Sequence, residues 1–360
     1  MRQSLRPLLR RATVGALVLV SVWAPGGALA AAPPSPEAAR LPFTERYRAL
    51  QHGGIVRAAN AAISCRATAA QPSCPAVREG GTAVNGDLDM FYVDVDTDPN
   101  TYNSSRAEVR LPEGARATYA RLYWGGNLRV GEQKPPADNG RVLIAEPGGQ
   151  YKEVLADTLV GHRVAQGADA YQASADVTRL VRESGSGLYT VAQLNVAMGK
   201  SKAGAWGGWT LVVAYEKAAE PLRHLALWDG FDTLTSGQDI APGGLRFPEG
   251  ASGRVGLVAY DGDRGRTGDR LTLSADRRAP VVLADSANPG ADVLNSTISE
   301  PGERPATRVP SYPNTLGYDS DVFDLGTALR PGGDQLAFRL VSQRDAAWAG
   351  ALFVAVDARS

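Results

Sequence analysis

From residue 87 onward the chain is cut into short apolar runs by Gly, Pro, Asn and Asp. The runs at 90–95, 117–124, 142–145, 188–197, 209–215, 222–228, 255–260, 271–273, 335–341 and 351–356 are rich in Val, Tyr, Phe and Trp. Such residues suit a pleated, half-buried surface, and the residues between them suit tight turns. The pattern predicts an all-β chain, and a dense series of short strands favours antiparallel sandwiches. The 40 Gly and 23 Pro among 360 residues point the same way, because both punctuate strands and weaken helices. Two short helical turns are expected, over 177–182 and 322–329. Each follows an aspartate, Asp176 or Asp321, that can cap it.

The runs recur in the same order twice. Ala120-Arg-Leu-Tyr-Trp-Gly-Gly-Asn127 lines up with Gly256-Leu-Val-Ala-Tyr-Asp-Gly-Asp263, and Arg141-Val-Leu-Ile-Ala with Arg270-Leu-Thr-Leu-Ser. Glu153-Val-Leu-Ala-Asp157 lines up with Val281-Val-Leu-Ala-Asp285, and Asp176 with Asp321, each leading into its helical turn and a Gly-punctuated strand. Last, the strand opened by Trp206 matches the one opened by Trp348. Five matches in one order predict two copies of one module, over 87–219 and 220–360. A module of this size suits a jelly roll, so the expected fold is a tandem of jelly-roll-like antiparallel β-sandwiches. The Asp-Val-x-x-Leu turn with the Gly-x-Gly-x-Tyr-Thr-Val strand after it resembles a hairpin of galactose-binding-like jelly rolls.

The N-terminus reads as a signal peptide over 1–30. Arg2, Arg6, Arg10 and Arg11 precede an apolar run at 12–23, and Ala28-Leu-Ala30 supplies a small-x-small cleavage site. The run is short for a span of about 30 Å of hydrocarbon, so no transmembrane segment is expected in the mature chain. Without the four leader arginines, 34 of the 38 basic residues face 38 acidic ones. A mildly acidic surface gives no electrostatic reason to bind nucleic acid. Residues 31–86 are expected to be a lead-in, Ala/Pro-rich at first, that carries a disulfide loop. Cys65 and Cys74 are the only cysteines, and a lone nearby pair in an exported chain is most simply one disulfide.

From Asn85 to Asp324 the chain resembles an uncharacterised extracellular β-sandwich module of high-GC Gram-positive surface proteins, one that often precedes tandem cell-surface repeats. The residues that carry the resemblance include Met90-Phe-Tyr-Val-Asp-Val-Asp-Thr-Asp-Pro-Asn-Thr-Tyr-Asn-Ser-Ser105, Leu111-Pro-Glu-Gly114, Leu122-Tyr-Trp-Gly-Gly126, Ala175-Asp-Val-Thr178 and Gly208-Trp-Thr-Leu-Val-Val-Ala-Tyr215. Further on they include Pro221-Leu-Arg223, Asp229-Gly-Phe231, Asn295-Ser-Thr-Ile-Ser299 and Gly317-Tyr-Asp-Ser-Asp-Val-Phe-Asp324. Asp292-Val-Leu stands where the family has aromatics, and neither downstream repeats nor a wall-sorting tail is seen here. The resemblance implies an extracellular location and a sandwich fold, and brings no established activity with it.

Three constellations can carry function. Asp94, Asp96 and Asp98 alternate and so would share one face of a strand, with Asn100 following. Converging carboxylates repel unless a cation or a base compensates, so these four residues are a candidate calcium site; Asp261, Asp263, Asp319, Asp321 and Asp324 form further acidic groups. Trp124 and Trp206 lie beside Gly pairs and are the aromatic residues expected to be exposed, as a platform for stacking sugar rings. Glu216, Asp229 and Asp261 are the carboxylates to inspect for glycoside hydrolysis. No nucleophile elbow, P-loop, dinucleotide motif or His-rich zinc pattern is present, and with only three His a Ser-His-Asp triad is not expected. The expectation is a secreted or surface-associated binding module for a cell-surface glycan or protein, with calcium as the candidate cofactor. The alternatives are a structural envelope component and a carboxylate-dependent glycan hydrolase.

Overall fold

The computed structural model describes residues 41–67, 71–276, 278–302 and 306–359. The expected signal peptide and the first residues of the expected lead-in lie outside that range. The described chain is all-β, in antiparallel sheets with a few short helices.

A 21-residue strand, Leu41–Ala61, organises the molecule. Over 41–52 it pairs with Leu222–Thr233, and over 53–61 with Gly207–Glu216. The change of partner falls at Gly53, where φ is +144° and an added Cβ would lie 2.0 Å from the Tyr215 carbonyl oxygen. Only glycine permits that approach. Beyond Leu222–Thr233 follow Trp348–Asp357, Gly253–Tyr260 and Tyr318–Asp324; beyond Gly207–Glu216 follow Arg116–Asn127, Ala168–Asp176 and Thr158–Ala165. Hydrogen bonding thus runs unbroken through nine strands, with the second half of the chain on one side of the long strand and the first half on the other.

The two blocks also pack face to face. Gln172 donates to the main-chain oxygens of Gly230 and Gly350 and accepts from the Tyr260 hydroxyl at 2.8 Å, while Thr210 meets the Tyr318 hydroxyl at 2.7 Å. Between the blocks lies an aromatic core of Tyr123, Trp206, Phe231, Tyr260, Tyr318, Trp348 and Phe353. Strand alternation puts the other set of side chains on the outer faces. Leu122, Trp124, Trp209 and Leu211 belong to a first-half core, and Val255, Leu257, Leu352 and Val354 to a second-half core. Each outer core is closed by a small sheet. The first runs Arg308–Val309, Ser104–Val109, Gly187–Ala192, Arg141–Ala145, Lys152–Leu155; the second runs Gln238–Ile240, Leu336–Val341, Arg270–Ala275, Val281–Leu283. The result is four sheet layers around three cores.

Apart from the edge strands Thr158–Ala165 and Arg308–Val309, strand order is the same in the two halves. Arg141 with Arg270 and Trp206 with Trp348 match as expected, but the matches on Arg116–Asn127 and Ala168–Asp176 are displaced by three residues. Asp176 stands opposite Arg121, and its carboxylate accepts the Thr178 N–H at the start of the helix Thr178–Ser184. The residue in that position in the second half is Asp324, opposite Arg254, which accepts the Gly326 N–H at 2.7 Å before the helix Gly326–Leu329. Asp321 is therefore no helix cap. It lies within the strand Tyr318–Asp324, fully buried, and the expected helical turn at 322–329 begins later. A shift of three residues exchanges the faces of a strand. Leu122 consequently corresponds to Val255, which shares its outward face, and not to Val258, which belongs to the middle core.

The expected lead-in over 31–86 is also corrected. From Leu41 its residues form the central strand, with Ala58 in the first-half core and Ala59 and Ala61 in the middle one. The disulfide joins Cys65, at the end of Ile63–Cys65, to Cys74, at the start of the helix Cys74–Arg78, with both residues buried.

Candidate functional site

Asp94, Asp96 and Asp98 do not share a strand face, because the strand ends at Tyr92 and all three lie in the turn after it. Their oxygens serve that turn. Asp94 accepts from the Ser104 hydroxyl at 2.7 Å; Asp96 accepts from the Asp98 N–H at 2.8 Å, the Thr101 hydroxyl at 2.9 Å and the Tyr151 hydroxyl. Asp98 accepts from the N–H and the side-chain amide of Asn100, at 2.9 and 2.8 Å. Burial alone would raise the Asp96 carboxyl, but the bonds from Tyr151, Asp98, Thr101 and Ser104 outweigh it and hold Asp96 below the usual range. Among the described residues, no group of three or more His, Cys, Asp or Glu side chains is placed to hold a metal ion.

The proposed sugar platform is absent, since Trp124 and Trp206 are both fully buried. Trp124 donates to the Asn139 main-chain oxygen at 2.8 Å in the first-half core, and Trp206 lies in the middle core. The Gly pairs beside them are strand positions where neighbours approach closely. A Cβ on Gly125 would lie 2.4 Å from the Tyr171 carbonyl oxygen, and one on Gly208 would lie 2.7 Å from the Asn60 carbonyl oxygen.

The three carboxylates inspected for hydrolysis are far apart. Glu216 is opposite Gly53 and Asp229 opposite Thr44 on the same strand, nine residues on, which is roughly 25–30 Å. Asp261 follows Tyr260, whose partner Trp348 pairs in turn with Thr233, so it stands more than about 15 Å from Asp229. Glycosidase pairs are separated by at most about 9.5 Å. Glu216 is exposed and paired with Arg116. Asp229 is a buried structural acid. Arg46 donates to both its oxygens at 2.8 Å, the Tyr123 hydroxyl donates at 2.9 Å, and Arg121 stands 3.7 Å away, itself held by Asp157 and Ser174.

Asp261 belongs to the densest concentration of unusual groups in the described chain, at the loop 261–269 and the segments packed on it. Asp261, Asp263, Asp269, Asp292, Asp319, Asp321 and Asp345 are all buried. Burial is the main cause of their raised carboxyls: to about 7 for Asp263, Asp269 and Asp321, to about 6 for Asp345, and well above the ordinary range for Asp261 and Asp319. Asn85 ties two of them together, its N–H donating to Asp263 and its amide to Asp261, each at 2.8 Å. Arg266 lies 3.2 Å from Asp345 and 3.9 Å from Asp263. Asp269, Asp292 and Asp345 did not emerge from the sequence. The signal that would have found the first is the Gly-rich stretch Asp261-Gly-Asp-Arg-Gly-Arg-Thr-Gly-Asp269.

No protein-family model matches the chain, and no curated protein matches it. Among solved structures, a chain from the atomic structure of Sulfolobus Turreted Icosahedral Virus aligns at 10% identity and a TM-score of 0.19, over 70% of this chain and 86% of that one. At that score the likeness carries no argument. No helix among the described residues is long and apolar enough to cross a membrane.

Proposed function

We propose that the chain is exported and works outside the cytoplasm as a rigid β-sandwich module that braces or binds a surface partner, a cell-surface glycan or protein. The observation that carries this reading is the aromatic core shared by the two halves, which makes both outer sandwiches faces of one body. A leader-like N-terminus and the use of both cysteines in a disulfide support export. The common strand order supports descent from two copies of one module, in line with the resemblance to surface modules of high-GC Gram-positive bacteria. Nothing in the geometry favours the hydrolase reading, because its three candidate carboxylates are too widely separated to act as a pair.

The test is fractionation of cells expressing the full chain, followed by binding of the purified protein to isolated cell walls and to a glycan array. The expected result is mature protein outside the cytoplasm, starting near Ala31, that sediments with walls or binds a defined glycan without cleaving it. Retention of an uncleaved chain in the cytoplasm, or turnover of a reporter glycan, overturns the reading.

A further inference from the structure

Asp269 and Asp292 face each other across an isolated parallel bridge between two loops. Residues paired in this way project from one face with Cβ atoms about 5 Å apart, and like charges directly opposite destabilise each other. Asp269 is fully buried, and neither of its carboxylate oxygens makes a hydrogen bond of good geometry, the Ser342 hydroxyl being the side-chain donor near it. Asp292, only 8% exposed, accepts the Gly265 N–H at 2.9 Å through Oδ2 and leaves Oδ1 unpartnered. The nearby donors are committed elsewhere. Arg264 donates to the main-chain oxygens of Gly80, Asn295 and Pro313, and Arg266 serves Asp345 and Asp263. The Ser342 hydroxyl donates to the Asp345 main-chain oxygen at 3.1 Å.

Two opposed, buried carboxylates with three open oxygens require relief, by a proton or by a cation. The neighbourhood adds to the repulsion: the charge of Asp345 also acts on Asp269, and Oδ2 of Asp319 is likewise buried and unpartnered. The main-chain oxygen of Leu294, two residues beyond Asp292, and Asp319 Oδ2 both approach Gly262, lying 2.4 and 2.6 Å from where a Cβ would be. Every open donor is oxygen, which selects a hard ion.

We propose that Asp269 and Asp292 together hold one divalent cation, Ca²⁺, at this buried bridge. Two carboxylates suffice as the acidic ligands, and main-chain, hydroxyl and water oxygens complete the six to eight that calcium takes. Affinity belongs with that of extracellular modules, roughly 10⁻⁴–10⁻³ M.

The experiment uses the full mature chain, stripped with chelator and then titrated with Ca²⁺ or Mg²⁺ at neutral pH, read by calorimetry and thermal melting. One Ca²⁺ per chain is expected, with a midpoint that rises by roughly 5 °C at a hundredfold excess over Kd. Asp269→Asn and Asp292→Asn abolish the rise while melting, in chelator, no lower than the parent, because each removes half of a like-charged pair. Asp98→Asn, in the turn after Tyr92, keeps the rise. Should Asp269→Asn fail to fold, Asp292→Asn and the calorimetric stoichiometry of the parent decide. Superimposable melting curves in calcium and chelator overturn the proposal, as does a calcium response that survives in Asp292→Asn. A magnesium response equal to that of calcium overturns the choice of ion.

Discussion

Trp206 and Trp348 meet ring against ring in the middle core, with centroids 6.5 Å apart and both residues fully buried. Trp206 immediately precedes, and Trp348 begins, the last strand of its half-chain, so a residue from each half closes the contact between them. Tyr260 lies 5.8 Å from Trp206, and Phe231 stacks on Trp348 at 5.1 Å. Truncating a buried Trp to Ala costs about 3–5 kcal/mol. Trp206→Ala and Trp348→Ala should each lower the urea midpoint accordingly. The double variant should lose less than the two losses combined, by about 0.5–1.5 kcal/mol of coupling. Strict additivity in that cycle would mean the rings do not support one another.

Arg46 and Asp229 form the second contact to test. Removing one partner of a buried ion pair typically costs about 3–5 kcal/mol, since the other charge stays buried. Arg46 is partly exposed, so Arg46→Met should fall at or below the lower end of that range. The Asp229→Asn variant retains acceptance from Tyr123 and should lose less than Asp229→Ala. Equal losses for the two Asp229 variants, measured by denaturant unfolding, would contradict a role in hydrogen bonding.

The strand signature was legible because alternation of apolar residues is visible in a single sequence. The central strand was not. Its first part carries Thr44, Glu45, Arg46 and Arg48; Arg46 is held by Asp229, remote in sequence, and Glu45 and Arg48 pair with each other, so this stretch shows no apolar alternation. Its last part is Ala-rich because two cores press on it, and small side chains give a weak apolar signal although Ala58, Ala59 and Ala61 are buried. The order of the recurring runs was readable, but the phase of the matches on Arg116–Asn127 and Ala168–Asp176 was not, since these strands and their counterparts are buried on both faces and show no alternation that would fix it. The Trp platform failed for a related reason: a Gly pair marks close approach as readily as a turn. The acidic loop could be suspected from its spacing, but Asp292 and Asp345 reach it only through the fold.

Stability should fall as pH rises in chelator. Burial raises Asp321 to about 7 and Asp319 well above the ordinary range, with the charge of Asp321 adding to the rise in Asp319. Folded values above the unfolded value of about 3.9 mean that folding favours the protonated form. The contribution is complete below about pH 4 and is lost as pH climbs through about 7. The melting midpoint should be higher near pH 5 than near pH 8, and Asp321→Asn should flatten that dependence. A midpoint that increases over the same interval would contradict the direction.

Reduction of the Cys65–Cys74 bridge, or the Cys65→Ser and Cys74→Ser pair of changes, should lower stability by roughly 2–3 kcal/mol, the loop entropy of so short a ring. The protein should remain folded, because the nine-strand ladder does not run through the bridge. Loss of the cooperative transition on reduction would show that the bridge is indispensable.

The strand Leu41–Ala61 also fixes how the molecule answers to mechanical force. Leu41 lies opposite Phe231, and Asp357 lies opposite Arg223, at the other end of the same intervening strand. Traction that separates Leu41 from Asp357 along the strand direction therefore slides neighbouring strands past one another. The bonds of both ladders then share the load at once instead of opening in succession. Single-molecule pulling through those two positions should meet a high rupture force, whereas pulling across the ladder, through residues on neighbouring strands at one end, should peel it open at a lower one.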